Sequence, residues 1–479
     1  MTTPDLAAPS AVGPRLSVMM LLQFFLWGAW FVSTGPFMNA YGMSAGIKWA
    51  YTVGPIAAIL SPLFLGMVAD RFFASERVLG LLHILGGALL ALAPMVFRAT
   101  NDPLVVDALA AAALVKPDEA IAAALATVPA GSSGDALRTL LESGKLPTTE
   151  WLPFVLVLLA HMLCYMPTLG LTNTVAFHSM SEPAKQFPLV RVFGTIGWII
   201  AGLLISLLAF DRSEGQYLLA GASGVVLGLY CFTLPNTPPP AKGRPFSARS
   251  ALGLDALALL RRPGFAVFMM ASFLTCIPLA AYYAFAGTFV DAQGINMPTA
   301  AIMSRGQMSE IFFMLIMPFC FARLGVKWMM AIGMLAWVVR YALFTYAAQL
   351  PPGDVEGALP WLSWIMGDPR LTMPIFIGIL LHGICYDFFF VTGFIYVDRE
   401  SPRELRASTQ GFLVLVTQGL GMLIGAQASG FLFERAAAED GGRNWQFFWL
   451  APMFFALVVL IFFVVSFHDS SRRPDRAQA

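Results

Sequence analysis

Long apolar segments recur along the chain, separated by shorter stretches rich in Gly, Pro and charged residues. A hydrocarbon core about 30 Å thick requires about 20 helical residues to cross it. The pattern therefore predicts an all-α membrane protein with twelve transmembrane helices. The predicted spans are residues 16–37, 49–69, 78–97, 151–177, 192–211, 216–234, 264–289, 298–322, 326–347, 371–397, 409–433 and 446–467. The spans 151–177 and 371–397 are longer than needed and contain Pro or Gly, so we expect them to be tilted or broken.

The composition agrees with this prediction and excludes several other classes. Of the 479 residues, 58% are hydrophobic and 12% are charged, and the charged share is about half that of soluble domains. Disordered, collagen-like, disulfide-stapled and soluble enzyme classes are therefore excluded. The net charge of +1 creates no global field that attracts nucleic acid, so no nucleic-acid partner is expected.

The chain lacks the motifs that support catalysis. We find no P-loop, nucleophile elbow, H-E-x-x-H or dinucleotide fingerprint in the sequence, so the protein is not expected to be an enzyme or to hold a cofactor. The five cysteines lie in apolar stretches without zinc-like spacing. We interpret them as small hydrophobic residues and predict no metal site.

An even number of spans places both termini on one side of the membrane. Lys and Arg concentrate in the loops on that side, which predicts that both termini face the cytoplasm. The first apolar segment follows one basic residue and lacks an obvious cleavage site, so we interpret it as a spanning helix, not a signal peptide.

The longest predicted cytoplasmic loop, 236–262, divides the spans six and six. After a Pro-rich start it reads SALGLDALALL, whose apolar face predicts a short helix on the membrane surface. We predict two pseudo-symmetric six-helix bundles, 1–235 and 263–479, an arrangement typical of transporters. An Ala-rich insert, 99–150, predicts two or three short helices in an extracellular cap; a tolerated insertion without a transport role is the alternative. A second insert, 350–369, lies on the same face.

Charged residues inside spans are costly and are functional candidates by default. Gln307 and Glu310 are three residues apart in SRGQMSEIFF and share one helical face. They would present an amide and a carboxylate to the bundle interior, which suits a ligand rich in hydroxyls or ring nitrogens. An ion pair between helices is the alternative for Glu310. Arg305 lies roughly across the helix from Gln307, and Arg340 is a further charge in the ninth span.

Asp387 lies among aromatic residues in HGICYDFFFVTGF. A carboxylate that gains and loses a proton at this depth can serve as a coupling site; a permanently paired Asp that joins two helices is the alternative. His382 and Tyr386 are four residues apart and share one face. They could line a pocket, or His382 could be a hydrogen-bonded contact between helices.

The fifth span carries a mixed polar and aromatic stripe. Arg191 follows a Pro-containing segment that we interpret as a loop, and Thr195 and Trp198 follow at four and seven residues. A cation, a hydroxyl and an indole on one face form a plausible pocket wall. The alternative is that Arg191 extends from the membrane interface as a cytoplasmic anchor.

Two further sets of residues permit both a pocket and a structural role. Gln23, Trp27 and Trp30 give the first span a polar and aromatic side, for which interface anchoring is the alternative. Tyr282 and Tyr283 in the seventh span are equally ambiguous.

The connection between the second and third spans contains G-x-x-x-D-R at Gly66, Asp70 and Arg71. A small residue permits close helix packing, and the Asp and Arg can form a charge lock at the cytoplasmic gate. In a protein with twelve spans this motif is a moderately specific signal of the major facilitator superfamily.

The sequence resembles the bacterial nucleoside:proton symporter family of that superfamily over nearly the whole chain apart from 99–150 and 350–369. The matching blocks are LQFFLWGAW, GMVADRF, CYMPTLGLTNT, FPLVRVFGTIGW, GLDALALL, SRGQMSE, WVVRYALF and YDFFFVTGFIYVDRESPRELRASTQG. The resemblance implies a nucleoside site between the two halves. At matching positions it implies that nucleoside-binding residues are Arg191, Thr195, Gln307, Glu310 and Tyr386, with Asp387 as the proton-coupling acid.

The chain departs from the family pattern at several of these positions. It has Ala280 and Tyr283 where relatives carry Gln and Asn, His382 where they carry Tyr, and Trp198 where they carry Phe. Tyr283, His382 and Trp198 are therefore included among the predicted substrate-binding residues, and the first two could supply replacement hydrogen bonds.

These observations predict a nucleoside importer of the cytoplasmic (inner) membrane that is driven by protons and works by alternating access. Its expected partners are a nucleoside, a proton and the lipid bilayer, and a monomer is expected. The first alternative is a permease for a sugar or another polyhydroxylated metabolite, and the second is a membrane sensor that transports nothing.

Overall fold

The computed structural model describes residues 9–64, 70–115, 119–131, 134–181, 183–239, 247–295, 297–350, 369–402, 405–438 and 442–468. Within these ranges the regular secondary structure is helical, apart from one isolated bridge between Ala437 and Arg443. The chain divides into two compact units. Unit 1 is Met1–Phe246 with Pro298–Ser304, and unit 2 is Ser247–Met297 with Arg305–Ala479.

The predicted all-α fold is confirmed. The helices up to the central connection are α1 Pro9–Phe31, α2 Thr34–Ala40, α3 Ile47–Phe64, α4 Ser75–Thr100, α5 Pro103–Ala113, α6 Ala120–Thr127, α7 Asp135–Glu142, α8 Leu152–His178, α9 Pro183–Leu207 and α10 Gly215–Cys231. Those after it are α11 Pro263–Ala292, α12 Thr299–Ala347, α13 Pro369–Leu380, α14 His382–Tyr386, α15 Thr392–Glu400, α16 Arg406–Val414, α17 Met422–Arg435 and α18 Trp445–Ser466.

Ten of the described helical stretches are long and apolar enough to cross a membrane. One of them, α12, has 49 residues and contains a non-helical residue, Gly325, with φ 67° and ψ −179°. Gly accepts this positive φ without steric cost, and the helix is interrupted at this residue. The parts of α12 before and after Gly325 therefore supply one span each. With the 17-residue apolar helix α10, the described residues contain the twelve predicted spans.

The start of one predicted span is wrong. The fifth span was expected to begin at residue 192 after a loop, but α9 begins at Pro183. Pro is well accommodated in the first helical turn because the N–H that it lacks has no intrahelical partner there. Arg191 therefore lies two turns inside the helix. The fourth span, expected to be tilted or broken, is one continuous helix with Pro167 inside it, so it is not broken, and its tilt stays a prediction.

The tenth span is broken, as predicted. It consists of α13, a turn at Leu381, α14, a π-helical segment Asp387–Val391 and α15. The eleventh span contains a second π-helical segment, Leu415–Gly421, between α16 and α17. A π-helical segment inserts an extra residue into a helix and changes the direction of the following side chains.

The two connections outside the spans contain short helices. The insert folds into α5, α6 and α7, which share a small Ala-rich core, and Asn101 holds its end through a hydrogen bond to the Glu150 carbonyl oxygen of 3.1 Å. In the central connection, the predicted short helix consists of a four-residue α-helix, Ala248–Ala251, and a 3₁₀-helix, Leu254–Arg261. Gly253, with φ 71°, separates the two segments and prevents one continuous helix. Residues 351–368 of the second insert lie outside the described residues.

Glycines allow α4 and α10 to approach each other closely in unit 1. A Cβ atom added to Gly221 would lie 2.6 Å from the Gly87 carbonyl oxygen, and one added to Gly87 would lie 2.6 Å from the Gly221 carbonyl oxygen. Small residues at such crossings are typical of helix packing in membranes, where van der Waals contact contributes much of the stability.

We expect Gly221→Val to destabilise unit 1 by about 1–3 kcal/mol, because the larger side chain forces the two helices apart. The loss is measured as a lower apparent Tm of the detergent-solubilised protein. Gly411→Val is the control, because a Cβ at that helical position meets nothing within 4 Å. Equal Tm values for the two variants would contradict the close-packing argument.

Candidate functional site

The face of α9 that carries the predicted residues lies opposite its outward-facing side. Leu189 is 71% exposed and Ile200 is 42% exposed, which marks the side of the helix that faces away from unit 1. At 100° per residue, Arg191, Thr195 and Trp198 lie on the other side of the helix. Thr195 is buried, whereas Arg191 and Trp198 are half-buried. The three side chains therefore share one inward face, as predicted.

Helix α1 packs against this face and fixes the orientation of both large side chains. The Arg191 guanidinium lies 4.1 Å from the centre of the Phe24 ring, a cation–π geometry. The Trp198 ring contacts the edge of Trp27, with 5.5 Å between the ring centres. A Cβ added to Gly28 would lie 3.1 Å from Trp198. Gly28 on α1 thus lets Trp198 approach that helix closely, and the Phe24 ring on the same helix contacts Arg191.

A buried hydrogen-bond network lies behind the aromatic residues of unit 1. The Gln23 amide nitrogen donates to the Thr168 hydroxyl at 2.8 Å, and its amide oxygen is 2.7 Å from Nε2 of His83. The Tyr165 hydroxyl donates to the Gln23 carbonyl oxygen at 2.8 Å. Gln23 and Trp30 are fully enclosed, so interface anchoring is wrong for both. No spacing along the chain links His83 or Thr168 to Gln23, because the three residues come from three different helices.

In unit 2, a close helix crossing brings the predicted residues of the eighth and tenth spans together. A Cβ added to Gly383 would lie 2.6 Å from the Ser309 carbonyl oxygen, and one added to Gly306 would lie 3.1 Å from Cβ of His382. The Gly383 N–H also donates to the Ser309 hydroxyl at 3.0 Å. These contacts set the depth at which α12 meets α14.

At this crossing, Gln307 and Glu310 both reach His382. The Gln307 amide nitrogen is 3.4 Å from Nε2 of His382, and Oε2 of Glu310 is 3.8 Å from the same nitrogen. Nδ1 of His382 and the Gln307 amide oxygen are buried and have no hydrogen-bond partner within the described residues. The amide and the carboxylate therefore share one face and converge on the imidazole, and two polar atoms at this point remain able to bind a ligand.

Aromatic rings enclose the imidazole. His382 stacks on Tyr386 with 5.9 Å between the ring centres and 25° between the planes, as the spacing of four residues predicted. On α11, Tyr282 also stacks on His382, at 5.8 Å and 24°, and Tyr283 lies within electrostatic range of Tyr386 and Glu310. Tyr282 and Tyr283, whose role the sequence left ambiguous, therefore both lie beside these residues.

Asp387 is the first residue of the π-helical segment of the tenth span. Its side chain is fully enclosed, and neither carboxylate oxygen has a hydrogen-bond partner within the described residues. Glu310 is close enough to act on Asp387 electrostatically. An unpaired buried carboxylate is stabilised in its neutral, protonated form. The permanently paired Asp, one of the two alternatives drawn from the sequence, therefore does not describe this state.

We call Gln307, Glu310, His382, Tyr386 and Asp387 the His382 cluster. Of the other charged residues in the spans of unit 2, Arg305 lies 5.1 Å from the centre of the Phe376 ring, away from Gln307 as expected. Arg340 is fully buried and lies 4.1 Å from the centre of the Tyr282 ring. The sequence marked Arg340 as a charge inside a span, but not as a neighbour of the cluster.

The structure describes only part of the predicted cytoplasmic gate. Gly66 lies outside the described residues, and Asp70 and Arg71 belong to a single helical turn, Asp70–Phe72. Arg71 is half-buried. The charge lock between Asp70 and Arg71 stays a prediction.

Comparison with known proteins gives consistent matches over nearly the full length. The family model described as "Nucleoside H+ symporter" matches residues 11–126 and 139–472. A putative nucleoside transporter of Escherichia coli K12, YegT, is 34% identical over 95% of this chain and 94% of its own length. The xanthosine permease of the same organism is 28% identical over 98% of this chain and 99% of its own length.

Solved structures agree with these matches. The crystal structure of the nucleoside transporter NupG superposes with a TM-score of 0.72 at 28% identity, and covers 96% of this chain and 100% of that one. A bacterial homologue of the lysosomal transporter Spinster has a TM-score of 0.62 at 14% identity, over 97% and 98% of the two chains, and supports the fold alone. The resemblance found in the sequence is confirmed, and the chain belongs to the nucleoside:proton symporter family, with a major facilitator fold.

Proposed function

We propose that this multi-pass membrane protein imports nucleosides together with protons, and that the His382 cluster binds both. The observation that carries the proposal is the unpaired, buried Asp387 carboxylate, which lies within electrostatic range of Glu310. A nucleoside offers ribose hydroxyls and base nitrogens. An amide, a carboxylate and an imidazole are suitable hydrogen-bonding groups for such a ligand.

In this proposal the residues have different roles. Gln307, Glu310 and His382 hydrogen-bond the nucleoside, and the rings of Tyr386 and Tyr283 pack against its base or ribose. On unit 1, Arg191, Thr195 and Trp198 are proposed as further nucleoside-binding residues, supported by their shared inward face. Asp387 takes up the proton from outside and releases it to the cytoplasm in each cycle of alternating access.

A proton that moves down about 100 mV provides about 2.3 kcal/mol. Since each 1.4 kcal/mol corresponds to a factor of ten, one proton per nucleoside sustains an accumulation of ~50-fold. The sugar-permease alternative is not favoured, because the family model and the full-length relatives are described as nucleoside transporters or permeases. We further propose that both termini are cytoplasmic, that the protein lies in the inner membrane, and that it acts as a monomer.

Uptake into proteoliposomes tests the proposal. We expect labelled uridine to accumulate above its external concentration when the outside is acidic, because inward proton movement drives it, and to stop at equilibrium when a protonophore is added. Unlabelled nucleosides should compete, and glucose or ribose should not. Accumulation that is undiminished by the protonophore would contradict proton coupling, and competition by sugars alone would contradict the substrate class.

A further inference from the structure

Arg340 is an unusual residue in unit 2, because its charge is buried and has no ion-pair partner within the part of the chain that the structure describes. Its side chain is fully enclosed, and Nε donates to the Gly378 carbonyl oxygen at 2.7 Å. Both terminal nitrogens, Nη1 and Nη2, are buried and have no hydrogen-bond partner within the described residues. A buried cation in this state requires compensation by a nearby opposite charge or by polarizable groups.

Two aromatic rings provide part of this compensation. The guanidinium carbon lies 4.1 Å from the centre of the Tyr282 ring and 4.5 Å from that of Trp337. Such contacts stabilise a desolvated cation through the ring quadrupole, but they supply no net negative charge. Among the described residues, the carboxylate that shared neighbours connect to Arg340 is Glu310 of the His382 cluster.

A short path of contacts joins Arg340 to Glu310. Arg340 lies on the ring of Tyr282, Tyr282 stacks on His382 at 5.8 Å, and Oε2 of Glu310 is 3.8 Å from Nε2 of His382. Arg340 and Glu310 also both act electrostatically on Tyr283. Arg340 therefore contacts the Tyr282 ring, Glu310 approaches the His382 ring, and these two rings stack on each other.

Several other titratable groups lie in the same surroundings. Among the described residues, the titratable groups on which Arg340 acts electrostatically include Tyr282, Tyr283, Tyr341, His382 and Cys385. Those close to Glu310 are His382, Asp387 and Tyr283. Of these groups, His382 and Asp387 are the ones that both lie close to Glu310 and belong to residue types that can change charge between pH 6 and 8 when perturbed.

We propose that Arg340 is a positioning residue that acts as the counter-charge of Glu310, so that Glu310 stays ionised and binds nucleoside while Asp387 alone carries the proton. This inference rests on the proposed function. Without a cation, two neighbouring carboxylates in a desolvated cluster compete for protons, and their titrations become coupled. With Arg340, one cation balances one carboxylate, and the second carboxylate is neutral when it holds a proton. The cluster then transports one proton per nucleoside.

Nucleoside binding in an Asp387→Asn background tests the inference, because that change removes the proposed coupling acid. We expect the equilibrium Kd for uridine of the detergent-solubilised variant to be constant between pH 6 and 8. Adding Arg340→Gln should make binding about 10–100-fold weaker at pH 6 than at pH 8, because Glu310 then takes up a proton and loses its charged hydrogen bond. Adding Arg340→Lys instead, which keeps the charge, should leave Kd constant.

Two controls assign the effect. Arg305→Gln removes another cation of unit 2 that lies on a ring, and should leave Kd independent of pH. A triple variant that also carries Glu310→Gln should lose the pH dependence; if the dependence persists, His382 is the titrating group and the inference is wrong. A constant Kd in the Arg340→Gln variant would also overturn it.

The wild-type protein provides a separate measurement in case the Arg340→Gln variant does not fold. The inference requires one proton per nucleoside, measured by a pH electrode and labelled uridine in proteoliposomes. Two protons per nucleoside would overturn the role of Arg340 but leave the symport mechanism in place. Uridine uptake without proton movement would instead contradict the proposed function.

Discussion

Replacement of Asp387 by Asn is expected to abolish concentrative nucleoside uptake. The amide keeps the size of the side chain, but it cannot gain or release a proton. Accumulation should therefore fall from the ~50-fold that one proton sustains at about 100 mV to about the external concentration. Exchange of internal for external nucleoside should continue, because exchange needs no net proton movement.

Both activities are measured with the same proteoliposomes, by uptake under an inward proton gradient and by counterflow of labelled uridine. Asp255→Asn is the control, because Asp255 lies outside the spans and pairs with Arg249 at 3.0 Å on an exposed surface. It should leave both activities unchanged. Concentrative uptake by the Asp387→Asn variant would exclude Asp387 as the coupling acid, and loss of counterflow as well as uptake would indicate a structural role.

Hydropathy predicts the number of spans well, because each span must satisfy its own backbone in lipid. The break in α12 was also predictable, since charged residues and Gly325 interrupt the apolar run there. The start of α9 at Pro183 was not predictable, because hydropathy does not detect the polar turns of a helix that extend beyond the apolar core. The π-helical segment at Asp387 was not predictable either, because its hydrogen-bond pattern depends on tertiary packing.

The same limit applies to the site. Helical spacing places Gln307 with Glu310 and His382 with Tyr386, because each pair lies within one helix. It cannot place the first pair against the second, which depends on the close approach of Gly306 and Gly383 to their neighbours. The family resemblance supplied that juxtaposition, but not the position of Arg340 on the ring of Tyr282.

Glu310→Gln is expected to weaken nucleoside binding by about 10–100-fold, because a hydrogen bond to a carboxylate contributes about 1.5–3 kcal/mol and each 1.4 kcal/mol is a factor of ten. The neutral amide preserves the size of the side chain close to His382, so the helix crossing and the apparent Tm should change little. The Kd for uridine at pH 7.5, measured by equilibrium dialysis, reports the loss. Glu142→Gln on α7 is the control, since this exposed residue lies in the insert. If Glu310→Gln binds uridine as tightly as the wild-type protein, Glu310 joins two helices and does not contact the nucleoside, which is the alternative that the sequence left open.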